Sequence, residues 1–242
     1  MRSVKRAVLT IFMKRCLITG ASRGIGRAVA EKLAGPDVEL FLHGRDTAAL
    51  AEVRDSVKRR GARVVCLIHD LALPSGVTDL IGQVGNKSLD LLVNNAGIAI
   101  VKPFSEITPT EWKQTVGVNI TAPFLLMQHF AAHMPAGSSI VNILSIAAKT
   151  GFANWSAYCM SKFALEGLSQ CVREELRARR IRVMNVYPAA TDTNIWTQIE
   201  GNWPRHKMIS PEDVASAVAY AISCPPDVTL ENISISSLAG NL

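Results

Sequence analysis

The chain has 242 residues, 48% of them apolar and 19% charged, which excludes a disordered or low-complexity polymer and provides for a sizeable core in one domain. The net charge of +6 invites a nucleic-acid-binding interpretation, but Arg2, Lys5, Arg6, Lys14 and Arg15 account for most of it, leaving 21 basic against 20 acidic residues elsewhere. An excess confined to one end, with no recognition motif behind it, points away from nucleic acid.

The apolar run Ala7–Met13 between basic residues has the look of a targeting segment. It is too short to span a membrane and no small-residue cleavage site follows it, so a basic extension over 1–12 and a folded unit from 13 to 242 is the preferred division. No other run is long and apolar enough for a transmembrane helix. Cys16, Cys66, Cys159, Cys171 and Cys224 are scattered and form no C-x-x-C pair. The histidines are read as offering no metal-ligand pattern. Neither a disulfide framework nor a metal centre is expected, and a reducing, cytoplasmic setting is the default.

Along the chain, Arg15–Thr19 predicts a buried strand, Gly24–Leu33 a helix, Val38–His43 a second strand and Thr47–Arg60 a helix with a charged face. Arg63–Ile68 is a third strand, Val77–Val84 a helix, and Leu89–Val93 a fourth strand. Pro109–Met134 is a long helical region despite Pro123, followed by a strand at Ser139–Leu144 and a second long helix at Ser156–Arg179. Ile181–Val186, Pro211–Ser223 and Asn232–Ser236 complete the series as strand, helix and strand. Short apolar runs joined through helices imply a doubly wound parallel α/β sheet, Rossmann-like, in a single domain. The Trp-rich stretch near 194–209, interrupted by Gly201 and Pro204, is expected to be a lid or binding loop.

Strand one runs into Thr19-Gly20-Ala21-Ser22-Arg23-Gly24-Ile25-Gly26. Glycines at a strand-to-helix turn tolerate the required backbone angles and let a pyrophosphate approach N–H groups at the helix N-terminus. An acid at the end of the second strand would bind the ribose 2′-OH of NAD(H). Gly44 stands there instead, followed by Arg45. A guanidinium suits a 2′-phosphate, and Arg23 adds a second charge, so NADP(H) is favoured over NAD(H). The competing interpretation is a solvated Arg45 with Asp46 turned inward.

Tyr158 and Lys162 are four apart, on one face of a long helix. An adjacent ammonium is expected to lower the tyrosine pKa and fit it for acid–base work near neutral pH. Ser145, at the end of strand five, is placed to hydrogen-bond a carbonyl oxygen.

TGASRGIG at 19–26, Asp70-Leu71, NNAG at 94–97, Asn119, Ser145 and Tyr158-Cys-Met-Ser-Lys162 occur in order on matching elements. Together they resemble the short-chain dehydrogenase/reductase family over residues 14 to 193, and more weakly to the end. The resemblance implies Tyr158 as catalytic acid/base and Lys162 on the nicotinamide ribose. It implies Ser145 orienting the substrate oxygen, and Asn119 holding a water in a relay through Lys162. Gly20, Ala21, Ser22, Arg23, Gly24, Ile25 and Gly26 would cradle the pyrophosphate. Arg45 would sit at the 2′ position, Asp70 and Leu71 at adenine, and Asn95, Ala96 and Gly97 against the cofactor. The chain has Pro188-Ala189-Ala190-Thr191-Asp192-Thr193 where the family usually has Pro-Gly, with Thr191 and Thr193 on the carboxamide.

The implied reaction is hydride transfer between NADP(H) and a carbonyl or secondary alcohol, with reduction the usual direction. Phe152, Trp155, Ile195, Trp196 and Trp203 suggest an apolar or aromatic substrate, or simply pack the lid. Arg205 and His206 could meet an anionic substrate group, but are expected to face solvent. A 3-oxoacyl-carrier-protein reductase is the alternative, against which the C-terminus lacks the usual Asp-Gly-Gly. A non-catalytic NADPH-binding regulator is a third possibility, disfavoured because all four catalytic positions are present. A homodimer or homotetramer is expected, with Phe124, Met127, Phe163 and Leu168 on the pairing helices or packed on the sheet. Cys159 reads as a packing residue.

Overall fold

The computed structural model describes residues 14–199, 201–225 and 227–240; the extension expected at 1–12 lies outside them. Seven strands form one sheet: β1 (Lys14–Ile18), β2 (Val38–His43), β3 (Arg63–Leu67), β4 (Leu91–Asn94), β5 (Ser139–Ile143), β6 (Arg182–Pro188) and β7 (Asn232–Ile235). Every neighbouring pair is parallel, in the order β3-β2-β1-β4-β5-β6-β7. The order reverses between β1 and β4, and that switch point is where ligands bind in such sheets.

The central strands are rich in apolar residues because helices cover both faces of the sheet. Ile18, Leu40, Leu42 and Val93 pack under α1 (Gly24–Leu33), α2 (Thr47–Arg59) and α7 (Pro211–Ser223). Leu17, Phe41, Leu92 and Ile140 pack under α3 (Pro74–Val84), α5 (Ala122–Ala131) and α6 (Ser156–Arg177). The alternation follows the two-residue period of a strand.

The helical region expected at 109–134 is α4 (Pro109–Val116), a π-helical turn at Gly117–Thr121, and α5. Pro123 falls in the first turn of α5. No helix among the described residues is long and apolar enough to cross a membrane. Of the four apolar positions considered for a pairing face, Met127 belongs to the core and Leu168 packs against it, while Phe124 and Phe163 are exposed.

Helix α6 rests on a buried polar row. Asn94, Asn142 and Asn185 are in register across β4, β5 and β6. Asn94 Nδ2 donates to Asn142 Oδ1 at 2.8 Å, and Asn142 Nδ2 donates to Ser169 Oγ of α6 at 2.9 Å. Further along, Glu166 of α6 takes hydrogen bonds from Tyr187 and Lys149. These hydrogen bonds favour one packing of helix on sheet, with Asn94 Oδ1 left unpaired among the described residues.

Candidate active site

Two cavities open at the C-terminal ends of the strands, and Tyr158 lies on the wall of both. The larger, about 590 Å³, runs over the ends of β1, β2 and β4. Its floor is tied at the switch point by Thr19, whose hydroxyl donates to the Val93 carbonyl at 3.2 Å and accepts the N–H groups of Asn95 and Ala96 at 3.0 Å each. Asn95 Nδ2 in turn donates to the Thr19 and Gly20 carbonyls. Gly20 is in the left-handed region, and a Cβ there would come within 2.9 Å of Ala96 Cα. Only glycine fits this turn.

Gly20, Ser22, Arg23, Gly24 and Ile25 line the cleft, as do Arg45, Asp70, Leu71, Asn95, Ala96, Gly97 and Lys162. Whereas α2, α4 and α7 are capped by Asp46, Thr108 and Ser210, α1 has no side-chain cap and no acid in its first turn. Its N–H groups are thus available to an anion. With Arg23 and Arg45 beside them, the donor set fits a dinucleotide phosphate.

Two of the expected cradle residues do otherwise. Ala21 is fully buried and donates its N–H to the His43 carbonyl at 2.7 Å. Gly26 faces the Gly20 carbonyl, where a Cβ would stand 2.3 Å from the oxygen. Both shape the loop from behind.

Asp46 borders the cleft, and its carboxylate accepts the Ala49 N–H and caps α2. A side chain at Gly44 would press on Ser22, with the Cβ atoms 3.1 Å apart. An acid at that position would have to displace the Ser22 side chain by a few tenths of an ångström. Arg45 is 60% exposed and 3.9 Å from the Asp70 carboxylate, a screened pair that leaves the guanidinium free to take a stronger anion.

His43 is the residue that sequence reasoning missed. It is 3% exposed at the end of β2. Gly20 N–H donates to its Nδ1 at 3.3 Å, which puts its hydrogen on Nε2, 3.0 Å from the His69 carbonyl. One ring thus ties the glycine turn to the loop carrying Asp70. Burial pushes its pKa down to about 4. The available signal was a polar residue ending the apolar run Leu40-Phe41-Leu42.

The smaller cavity, about 370 Å³, lies on the other side of Tyr158. Ser145, Phe152, Trp155, Ile195, Trp196 and Trp203 line it, so the aromatic residues do form a pocket wall. Pro188 and Thr191, expected at the cofactor, line this cavity instead; Thr193 lines both. The reason is the loop after β6. A bridge between Thr191 and Ile209 closes its base, and Thr191 gives its carbonyl to the Trp196 indole at 2.8 Å and its hydroxyl to the Ala189 carbonyl. Arg205 does not simply face solvent: it pairs with the Asp192 carboxylate and donates to the Thr193 carbonyl.

Lys162 is 5% exposed and donates to the Ile143 carbonyl at 2.8 Å, with its Nζ 5.5 Å from the centre of the Tyr158 ring. Burial pushes it down to about 8. The lowered tyrosine pKa expected from Lys162 is not what the site has. Burial pushes the Tyr158 phenol up to about 12, partly opposed by contact with the Ser145 hydroxyl. Desolvation of a phenolate outweighs an ammonium that is itself committed to a backbone carbonyl. A phenol in this state holds its proton at neutral pH and can donate it.

Asn119 sits in the π-helical turn, where its side chain pairs with the Ile98 N–H and carbonyl and donates to Ser161 Oγ at 2.9 Å. Both amide hydrogens are thereby engaged with protein. The Asn119 side chain thus braces the loop after Gly97. Cys159 is buried, and all five cysteines are free. His129 of α5 and His133 in the turn after it do stand four apart, contrary to expectation, with ring centroids 5.9 Å apart. No group of three metal-ligating side chains occurs among the described residues.

The short chain dehydrogenase family model matches residues 14–202. The chain belongs to that family. It is 32% identical over 239 residues to a sepiapterin reductase of Chlorobaculum tepidum, covering 93% of this chain and 97% of the relative. An L-xylulose reductase of Bos taurus is 35% identical, with 74% and 72% covered. The structure of the landomycin C-6 ketoreductase LanV, with bound NADP and rabelomycin, superposes with a TM-score of 0.81 at 32% identity, covering 94% of this chain and 97% of that one. Membership makes the chain an oxidoreductase of the short-chain class.

Proposed function

We propose that this chain reduces the carbonyl group of a small apolar compound at the expense of NADPH, with Tyr158 as the proton donor. The supporting observation is the position of Tyr158 on the common wall of the two cavities, with Lys162 on the cleft side and Ser145 on the apolar side. When bound in the cleft, NADPH supplies the hydride that reaches the carbonyl carbon. The Tyr158 phenol gives its proton to the carbonyl oxygen as that oxygen gains charge. Ser145 Oγ, beside the phenol, holds the same oxygen. Lys162 lines the cleft next to Gly97 and favours negative charge on the phenolate left behind.

The free first turn of α1, Arg23 and Arg45 support NADP(H), as do the NADP-bound relatives in structure. Gly44 leaves no carboxylate at the position from which an NAD-selective acid would bind the ribose.

Tyr158→Phe tests the assignment. Carbonyl-dependent NADPH oxidation is expected to fall by ~10²–10⁴-fold, with NADPH binding, followed by nucleotide fluorescence, unchanged. An unaltered rate would overturn the mechanism.

A further inference from the structure

The apolar cavity carries more information than the size of its substrate. Phe152 and three tryptophans line it, and the indole and phenol rings form a chain. Trp155 meets Tyr158 edge-on at 5.6 Å between centroids, Trp196 lies 5.9 Å from Trp155, and Trp203 lies 4.8 Å from Trp196. The rings therefore extend from the reacting group outward along the pocket.

Two of the tryptophans are fixed by their polar ends. Trp196 Nε1 donates to the Thr191 carbonyl at 2.8 Å, and Trp203 Nε1 donates to the Ile199 carbonyl at 3.4 Å. Their N–H groups are thus turned into the loop, and what they offer a ligand is ring surface. The Thr191 hydroxyl is likewise taken, by the Ala189 carbonyl. No Lys, Arg, Asp or Glu lines the cavity among the described residues. Arg205, the nearest cation on the loop, is held by Asp192. Polar groups converge on the inner end, at Ser145 and Tyr158.

We infer that the substrate is an uncharged, flat aromatic ketone whose single polar group is the carbonyl at its edge. The ring body stacks on Trp196 and Trp155 while the carbonyl meets Tyr158 and Ser145. A volume of about 370 Å³ is at the small end of ligand pockets, which suits two or three fused rings. A sugar ketose fits badly, since burying its hydroxyls against ring faces leaves them without partners. A charged thioester finds no cation. This inference rests on the carbonyl-reductase reading of the same site.

The test uses the full chain with NADPH and three probes: 1-tetralone, L-xylulose and acetoacetyl-coenzyme A. The kcat/KM for 1-tetralone is expected to exceed that for L-xylulose by at least ~100-fold, because unpaired polar groups discriminate strongly. Trp196→Ala is expected to raise KM for 1-tetralone ~10-fold or more with little change in kcat. Trp196→Phe, which keeps a ring face but loses the bond to Thr191, restores most of the affinity and guards against a simple folding defect. Calorimetric binding of 1-tetralone, lost in Trp196→Ala and kept in Trp196→Phe, reads the same surface without turnover. Equal or better reduction of L-xylulose or the thioester overturns the substrate class and leaves the NADPH mechanism standing. Absence of turnover with every probe, alongside Trp196-dependent binding of 1-tetralone, overturns the reductase reading and retains the aromatic site.

Discussion

The two cavities that meet at Tyr158 are built by opposite means. The cleft over β1, β2 and β4 is shaped by backbone: a glycine turn pressed to Ala96, carbonyls tied by Asn95, and an uncapped helix end. The pocket beyond Tyr158 is shaped by side chains, chiefly tryptophans brought in by a loop that is pinned at its base. A ligand common to many proteins can be met by backbone geometry, which tolerates few residues. A particular substrate is met by side chains, which can be exchanged without disturbing the turn beneath them.

If that division is right, changes on the cleft side alter cofactor use or the proton step and leave substrate choice alone. Lys162→Met should have the largest effect. It removes the ammonium beside Tyr158 and should abolish reduction while raising thermal stability at pH 7. The folded pKa, about 8, lies below the usual 10.5, so the folded state binds fewer protons than the unfolded chain between those values. Wild-type stability therefore rises with pH across that window. The advantage of the variant, at most on the order of 3 kcal/mol, should shrink from pH 8 upward; thermal unfolding at pH 7 and pH 10 measures it. A variant less stable than wild type at pH 7 would show that the bond to Ile143 outweighs the buried charge.

Arg45→Glu comes next. NADPH affinity should fall ~10–100-fold, the worth of a charge-assisted pair, while NADH binding changes little; parallel titrations with both nucleotides decide. An equal loss for both would move the 2′-phosphate contact elsewhere.

His43→Asn is the mildest. The ring is buried neutral with a pKa near 4, below the usual 6.5. Its contribution is complete above pH 6.5 and is lost as pH falls toward 4, amounting to ~3 kcal/mol in full. Denaturant unfolding of wild type and variant between pH 7 and 4.5 should show the wild-type protein losing stability faster. NADPH should bind the variant a few-fold more weakly, because the Gly20 turn is no longer tied to the Asp70 loop. Identical pH slopes would remove His43 from that role.

The strand pattern was legible because the inner strands of a covered parallel sheet are rich in apolar residues on both faces, and the structure moved element ends by only a few residues. Gly20, Arg45, Tyr158 and Lys162 were legible because their chemistry constrains residue type at fixed spacing. His43 was not, since its partners Gly20 and His69 lie on two other segments and a lone histidine has no local signature. The shift of Tyr158 was misjudged for a related reason. Spacing on a helix tells that Lys162 is near, but not that its ammonium points at the Ile143 carbonyl or how much water the phenol has lost.

By itself, the sequence determined the doubly wound sheet, the glycine turn and the set of candidate reacting side chains, because periodicity and residue type are local properties. Only the tertiary structure decided which wall each side chain faces. It placed Pro188 and Thr191 on the apolar side, turned the Trp196 and Trp203 N–H groups into the loop, and set the protonation of Tyr158. Those outcomes depend on contacts between segments far apart in the chain and on burial, which no local pattern encodes.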